Sequence, residues 1–226
     1  MKPPFRVAVL ASGDGTNLQA LLHACRSPAP ARVVLVLSNN PRAGALARAR
    51  EAGVPAQVLP DPGDSRRLVE VLRSHEVDLV VLAGYLKLVP RDTVEAYGGR
   101  MINIHPALLP SFGGKGMYGR RVHAAVIGSG ATVSGASVHL VTADYDRGRI
   151  VAQWPVPVAP GDTPESLAER VKAVERQLLP AVVIAAARAG RVVRLVAKEP
   201  GFVVGPSSTV ELEVSREPAH GLRGAR

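Results

Sequence analysis

Apolar residues fall along this chain in short unbroken runs that alternate with stretches of helical period. FRVAVLA at 5–11 is nearly all apolar, the pattern of a strand covered on both faces in a parallel sheet. It leads through SGDGTN into a helix whose Leu18, Leu21, Leu22 and Cys25 recur at i, i+3, i+4 and i+7. RVVLVLS at 32–38 predicts a second strand, and an Ala-rich helix follows over 45–52. A short strand at 56–59 precedes a helix with Leu68, Val71, Leu72 and His75 on one face, and DLVVLA at 78–83 predicts the fourth strand. This βαβαβαβ order implies an α/β fold: an open, doubly wound, mostly parallel twisted sheet with helices on both faces and right-handed crossovers.

The second half continues less regularly. MINIH at 101–105 reads as the end of a fifth strand, and Pro106 with the LLP that follows stops it. A glycine-rich SFGGKGMYG loop, a short helix at 122–127 and a half-buried strand at 132–142 come next, then a strand at 150–158. Thr163 is an N-cap with Pro164 at the first helical position, and Leu167, Val171, Val174 and Leu178 form the buried stripe of the helix it starts. After residue 197 the pattern dissolves into Pro, Gly, Ser and charge, with one strand-like VELEV. The expected organisation is a single domain over 1–197, with a nucleotide-binding half at 1–100, a catalytic half at 101–197, and a tail at 198–226 of unassigned role.

Composition narrows the ligands. The chain has 226 residues, 46% hydrophobic but only 4% aromatic, so the core is aliphatic. Its net charge of +9 favours anionic ligands. The Lys and Arg residues are scattered, with few aromatics to stack bases, which argues against nucleic acid and for a small phosphorylated substrate. One cysteine, Cys25, precludes an internal disulfide and a cysteine-based zinc site, and its helix position makes it a small core residue. MKPPF runs directly into a strand without a signal pattern, and no apolar run approaches the ~20 residues of a membrane span. A soluble, cytoplasmic setting is expected.

Candidate chemistry lies where the strands end. Gly13 and Gly15 begin a dinucleotide fingerprint, but Leu18 fills its third glycine position. What remains is a tight turn at a helix N-terminus, where the backbone N–H groups of Gly15, Thr16 and Asn17 suit one phosphate. Thr16 or Asn17 serving as a helix cap is compatible with that role. GYLKLVP at 84–90 offers a wall for a flat ligand. Asn103 and His105, two apart on a strand, point the same way and present an amide beside an imidazole. That pair suits a carbonyl under attack: the amide donates to a developing oxyanion, and the imidazole moves a proton near neutral pH.

ADYDRGR supplies two carboxylates, Asp144 and Asp146, and spacing alone does not choose between them. Either would hold His105 protonated and relay a proton through water. Lys172 and Glu175 sit on the shoulder of the last helix's stripe, as a surface ion pair or as groups reaching over the cleft. His23 and His75 read as structural or solvated, and His123 as solvent-facing. His139 reads as a core histidine able to orient a neighbouring acid.

SGDGTNLQALL, LAGYLKLV, MINIHPALLPSFGG, SVHLVTADYDRG and ERVKAVERQLLP, in order between Val7 and Val196, resemble the folate-dependent formyltransferases. The resemblance implies transfer of the formyl group of 10-formyltetrahydrofolate to the amine of phosphoribosylglycinamide in purine biosynthesis. It implies no metal, no nucleic-acid or membrane partner, and action as a monomer or homodimer. By position, Asn103 and His105 would stabilise the oxyanion. The family aspartate, two residues before a glycine, falls on Asp146. Gly15, Thr16 and Asn17 would hold the substrate phosphate, with Lys172 and Glu175 facing its ribose and glycinamide part. Leu86, Lys87, Leu88 and Val89, with Thr142, Ala143, Asp144 and Tyr145, would line the folate pocket beside Asn103 and Asp146. KGMYG lengthens the loop after the Asn–His pair relative to the shortest members, and Lys87 stands where arginine is frequent. Methionyl-tRNA formyltransferases would add a C-terminal RNA-binding domain. Deformylases would add an N-terminal regulatory one. A non-catalytic nucleotide-binding regulator would have no need of Asn103, His105 and Asp146 together.

Overall fold

The computed structural model describes residues 3–197 and 212–215. Its centre is a seven-stranded sheet in the order β3-β2-β1-β4-β5-β6-β7. The strands are β1 (Phe5–Leu10), β2 (Ala31–Ser38), β3 (Ala56–Val58), β4 (Leu79–Leu82), β5 (Met101–His105), β6 (Val133–Leu140) and β7 (Ile150–Pro157). The first five run parallel, and β6 and β7 add antiparallel at the β5 edge. The order reverses between β1 and β4, the switch point outside whose carboxyl ends α/β sheets bind ligands.

The helices are α1 (Thr16–Ala24), α2 (Gly44–Glu51), α3 (Ser65–Ser74), α4 (Arg91–Ala96), α5 (Arg120–Gly128) and α6 (Pro164–Ala189). Val7, Val9 and Ile102 face one core with Leu18, Leu46, Val126 and Leu167, which places α1, α2, α5 and α6 on that side. Ala8, Leu10 and Val80 face a second core with Leu68, Leu72 and Tyr97 from α3 and α4. Consecutive strand residues thus feed opposite cores, and the apolar runs in the sequence follow from that two-sided burial.

The six-residue α4 was not legible, being too short to show a helical period and capped by Pro90 without a side-chain bond. The N-terminus of α6 follows expectation: Thr163 Oγ1 accepts from Ser166 N at 3.2 Å, and Pro164 opens the helix. Its buried stripe is Leu167, Val171, Glu175 and Leu178, so Glu175 takes the core position expected of the half-buried Val174. Beyond α6, β8 (Leu195–Ala197) pairs antiparallel with β9 (Leu212–Val214), the described part of VELEV. The rest of the expected tail lies outside the described residues.

Candidate active site

β5 and β6 set Asn103 opposite His139 and His105 opposite Ser137. Asn103 and His105 share a face of β5, as their spacing requires, and His139 joins them from the neighbouring strand. The 141–149 loop then folds back so that the Asp146 carboxylate lies between these side chains. Its Oδ1 accepts from Asn103 Nδ2 at 3.3 Å and lies 3.4 Å from His139 Nε2. Its Oδ2 accepts from Gly114 N at 2.9 Å and lies 3.5 Å from His105 Nδ1. Asp144, two residues earlier, is exposed. The difference is conformational: Asp146 has φ +55, a left-handed value uncommon for a non-glycine residue, and this turns its side chain inward.

Tautomers follow from the partners. His139 Nδ1 lies 2.8 Å from the Leu140 carbonyl, which can only accept, so Nδ1 carries the proton. His139 Nε2 lies between Asn103 Nδ2 at 3.0 Å and Asp146 Oδ1 at 3.4 Å, able to accept from the amide without a proton and to donate to the carboxylate with one. His105 Nε2 donates to the Phe112 carbonyl at 2.8 Å, leaving Nδ1 facing Asp146. Asn103 and His105 therefore do not stand as two free donors: each is engaged by the protein.

The charge balance also departs from expectation. Burial, with His105 only 3% exposed, pushes its imidazole below the ordinary range, and Asp146 and the Phe112 carbonyl pull the other way without prevailing. His105 is thus disposed to be neutral, not held protonated. Burial also pushes the Asp146 carboxyl upward, but the neighbouring His139 and His105 imidazoles and the Gly114 N–H together carry it below the usual range. Asp146 is ionised at neutral pH.

Several supporting residues carried no signal alone. Ser137 Oγ donates to the Ala107 carbonyl at 2.7 Å and accepts from Leu109 N at 3.0 Å, fixing the chain that leaves His105. Gln153 Nε2 bonds both Ser137 Oγ and the Leu109 carbonyl at 2.9 Å. Gly113 packs so tightly that a Cβ there would lie 2.5 Å from Leu109 and 3.1 Å from the Asp146 Cβ. Only the alternation on β6, which puts Ser137 and His139 on one face, hinted at this cluster.

The turn between β1 and α1, expected to take a phosphate, lies on the same rim. Gly15 is itself the N-cap of α1 at φ +76, and no side chain caps the helix, so neither Thr16 nor Asn17 has that role. A Cβ on Gly15 would come within 2.7 Å of the Ala45 Cα, which makes glycine obligatory there. Ser12 joins this loop to the 84–90 wall: its Oγ accepts from Leu86 N at 2.9 Å, and its N–H donates to the Gly84 carbonyl at 3.0 Å. On that wall Leu86, Lys87 and Leu88 are exposed while Val89 is buried. Of the second expected folate segment, Thr142 and Tyr145 are half-buried and Ala143 is exposed.

Of the two alternatives for Lys172 and Glu175, the surface ion pair between them does not form. Lys172 Nζ bonds Glu169 at 2.8 Å, whereas Glu175, 7% exposed, accepts from Asn17 Nδ2 at 3.1 Å across the α1–α6 contact. Burial pushes the Glu175 carboxyl up to about 7, against Asn17, Lys172 and Arg176. His123 is buried, not solvent-facing, because α5 packs against α6. His23 is exposed and His75 half-buried at the end of α3, as expected.

A sheet with its switch point at β1/β4 thus carries a glycine turn at a helix N-terminus and an Asn–His–Asp cluster on one rim. Residues 5–183 match the family described as formyl transferase. The chloroplastic phosphoribosylglycinamide formyltransferase of Arabidopsis thaliana is 46% identical over 186 residues, covering 79% of this chain and 64% of that protein. The phosphoribosylglycinamide formyltransferase of Haemophilus influenzae is 38% identical over 185 residues, covering 79% of this chain and 85% of that protein. The crystal structure of phosphoribosylglycinamide formyltransferase from Anaplasma phagocytophilum is similar with a TM-score of 0.78 at 33% identity, covering 96% of each chain. The chain belongs to the formyl transferase family. It spans 64% of the Arabidopsis relative's length.

Proposed function

We propose that the chain transfers the formyl group of 10-formyltetrahydrofolate to the amine of phosphoribosylglycinamide. The observation that carries this reading is the Asp146 carboxylate bridging Asn103, His105 and His139 on the rim that also holds the phosphate loop. The N–H groups at Gly15, Thr16 and Asn17 bind the substrate phosphate, helped by the N-terminal end of the α1 dipole. Lys172 and Glu175 face the ribose and glycinamide part. Leu86 to Val89 and Thr142 to Tyr145 receive the folate.

The amine nitrogen attacks the formyl carbon, whose oxygen gains negative charge as the tetrahedral centre forms. Asn103 turns one N–H from its 3.3 Å bond with Asp146, the longer of its two, to that oxyanion. His105 takes the amine's proton at Nδ1 by way of Asp146, and the carboxylate offsets part of the cost of the buried imidazolium until that proton moves on. The carbon–N10 bond then breaks. The proton lost by the amine passes by way of Asp146 and water to N10, so formamide and tetrahydrofolate leave with no net proton change.

The test follows the absorbance change as 10-formyltetrahydrofolate is consumed, with and without phosphoribosylglycinamide. Consumption that requires the amine is expected. Consumption without it would make the protein a hydrolase of the formyl folate, and none under either condition would make it a nucleotide-binding regulator.

A further inference from the structure

His105, Ser137 and Gln153 stand directly opposite one another across β5, β6 and β7. Opposed residues of neighbouring strands put their side chains on one face, so the three form a row. The Gln153 carboxamide uses its Nε2 on this row, donating to the Leu109 carbonyl and to Ser137 Oγ, each at 2.9 Å. Ser137, fully buried, adds its bonds to the Ala107 carbonyl and the Leu109 amide. Residues 107–109 are thereby held at two carbonyls and one amide. The Leu109 side chain carries that restraint forward, lying so close to Gly113 that a Cβ there would come within 2.5 Å of it. Gly113 shares its peptide group with the Phe112 carbonyl, which accepts from His105 Nε2. The next amide, of Gly114, donates to Asp146 Oδ2.

We propose that Gln153 is a positioning residue that acts through Leu109 and the Phe112–Gly113 peptide to fix which nitrogen of His105 carries the proton. A neutral imidazole has one N–H, and here two acceptors compete for it. The Phe112 carbonyl stands 2.8 Å from Nε2, and the Asp146 carboxylate 3.5 Å from Nδ1. Being charged, the carboxylate draws the proton to Nδ1 once the carbonyl moves away. With the carbonyl held, the proton sits on Nε2, and Nδ1 keeps its lone pair towards Asp146, open to the proton that His105 takes up in the proposed reaction. Phe112 has φ +56, a left-handed backbone value that a bulky residue keeps only where its surroundings impose it. The row ending at Gln153 is part of what imposes it. The proposal rests on the proposed reaction only for its effect on turnover, since the placement of the proton belongs to the free protein.

The experiment is a ¹H–¹⁵N spectrum of the imidazole rings of the ¹⁵N-histidine-labelled full chain at about pH 8, above the ordinary imidazole value. Ring nitrogen shifts distinguish the two neutral tautomers, and the His105 ring is identified by the signals lost in His105→Gln. The wild type is expected to carry the His105 proton on Nε2. Gln153→Met keeps the length of the side chain and removes both N–H donors, and in it the Nδ1–H form is expected to become the major one. In the formyl-transfer assay its kcat is expected to fall by up to about 10²-fold, the order of loss when a catalytic group moves by about 1 Å. A merely structural Gln153 would lower Tm and leave the tautomer as it was, so a Gln153→Met ring that keeps Nε2–H overturns the proposal whatever its turnover. A wild-type ring already in the Nδ1–H form overturns it too, and that spectrum needs no variant to fold. A wild type that shows the expected tautomer but transfers no formyl group would refute the reaction and leave the placement of the proton standing.

Discussion

Glu175 is a carboxylic acid placed where the helix pattern calls for an aliphatic side chain, and its stability cost can be worked out. Burial raises its carboxyl from 4.5 to about 7. A native state that holds a proton more tightly than the unfolded chain loses stability as pH rises from the unfolded value through the folded one. The interval from 4.5 to about 7, at about 1.4 kcal/mol per pH unit, comes to about 3 kcal/mol lost by pH 8. The group is 7% exposed, so solvent screening does not reduce this greatly. Glu175→Gln keeps an oxygen to accept from Asn17 Nδ2 and removes the ionisation. The variant is expected to match the wild type near pH 4.5 and to exceed it by about 3 kcal/mol near pH 8, a Tm difference of about 6–12 °C. Urea unfolding midpoints across that range measure the effect directly. A stability difference that stays constant with pH, or shrinks as pH rises, would refute the argument. If Glu175 also faces the substrate amine, as proposed, the more stable variant loses substrate affinity, an exchange common where function keeps an unfavourable group in place.

Other outcomes follow from the same contacts. Asp146→Asn removes the charge facing His105 and should lower kcat by ~10²–10⁴ while circular dichroism and phosphate-loop binding remain unchanged; undiminished kcat would remove Asp146 from the proton path. His139→Ala deletes a group that lowers the Asp146 carboxyl, so the acidic limb of the kcat/KM profile should move to higher pH. A limb that stays in place would mean His139 does not act through Asp146. At Gly148 a Cβ would lie 1.6 Å from the Leu140 carbonyl oxygen, a backbone atom that cannot yield. Gly148→Ala should therefore open the base of the Asp146 loop and lower both Tm and activity, and calorimetry showing a wild-type Tm would contradict that contact.

The amino-acid sequence by itself determined the layered sheet, because strands buried on both faces must be apolar throughout and helices between them need a single apolar stripe. It determined the shared rim as well, since parallel strands joined by helices all end on one side. Asn103 and His105 were legible because two-residue spacing on a strand puts side chains on one face whatever surrounds them. Asp146 could be separated from Asp144 only by likeness to a family, for the two have the same local chemistry; the positive φ that turns one inward belongs to the folded loop.

Tertiary structure alone decided the remaining assignments. The stripe Leu167, Val171, Leu178 admits either Val174 or Glu175 between its turns, and hydrophobicity pointed to the valine. Packing chose the glutamate, because the α1 N-terminus crosses there and brings Asn17 to meet it. His123 stands beside Val122 on a nine-residue helix whose inner face is fixed only by the arrival of α6. The protonation of His105 depends on tertiary packing for the same reason. Sequence supplies the neighbouring charge, but desolvation, which outweighs that charge here, is a property of everything packed around the ring.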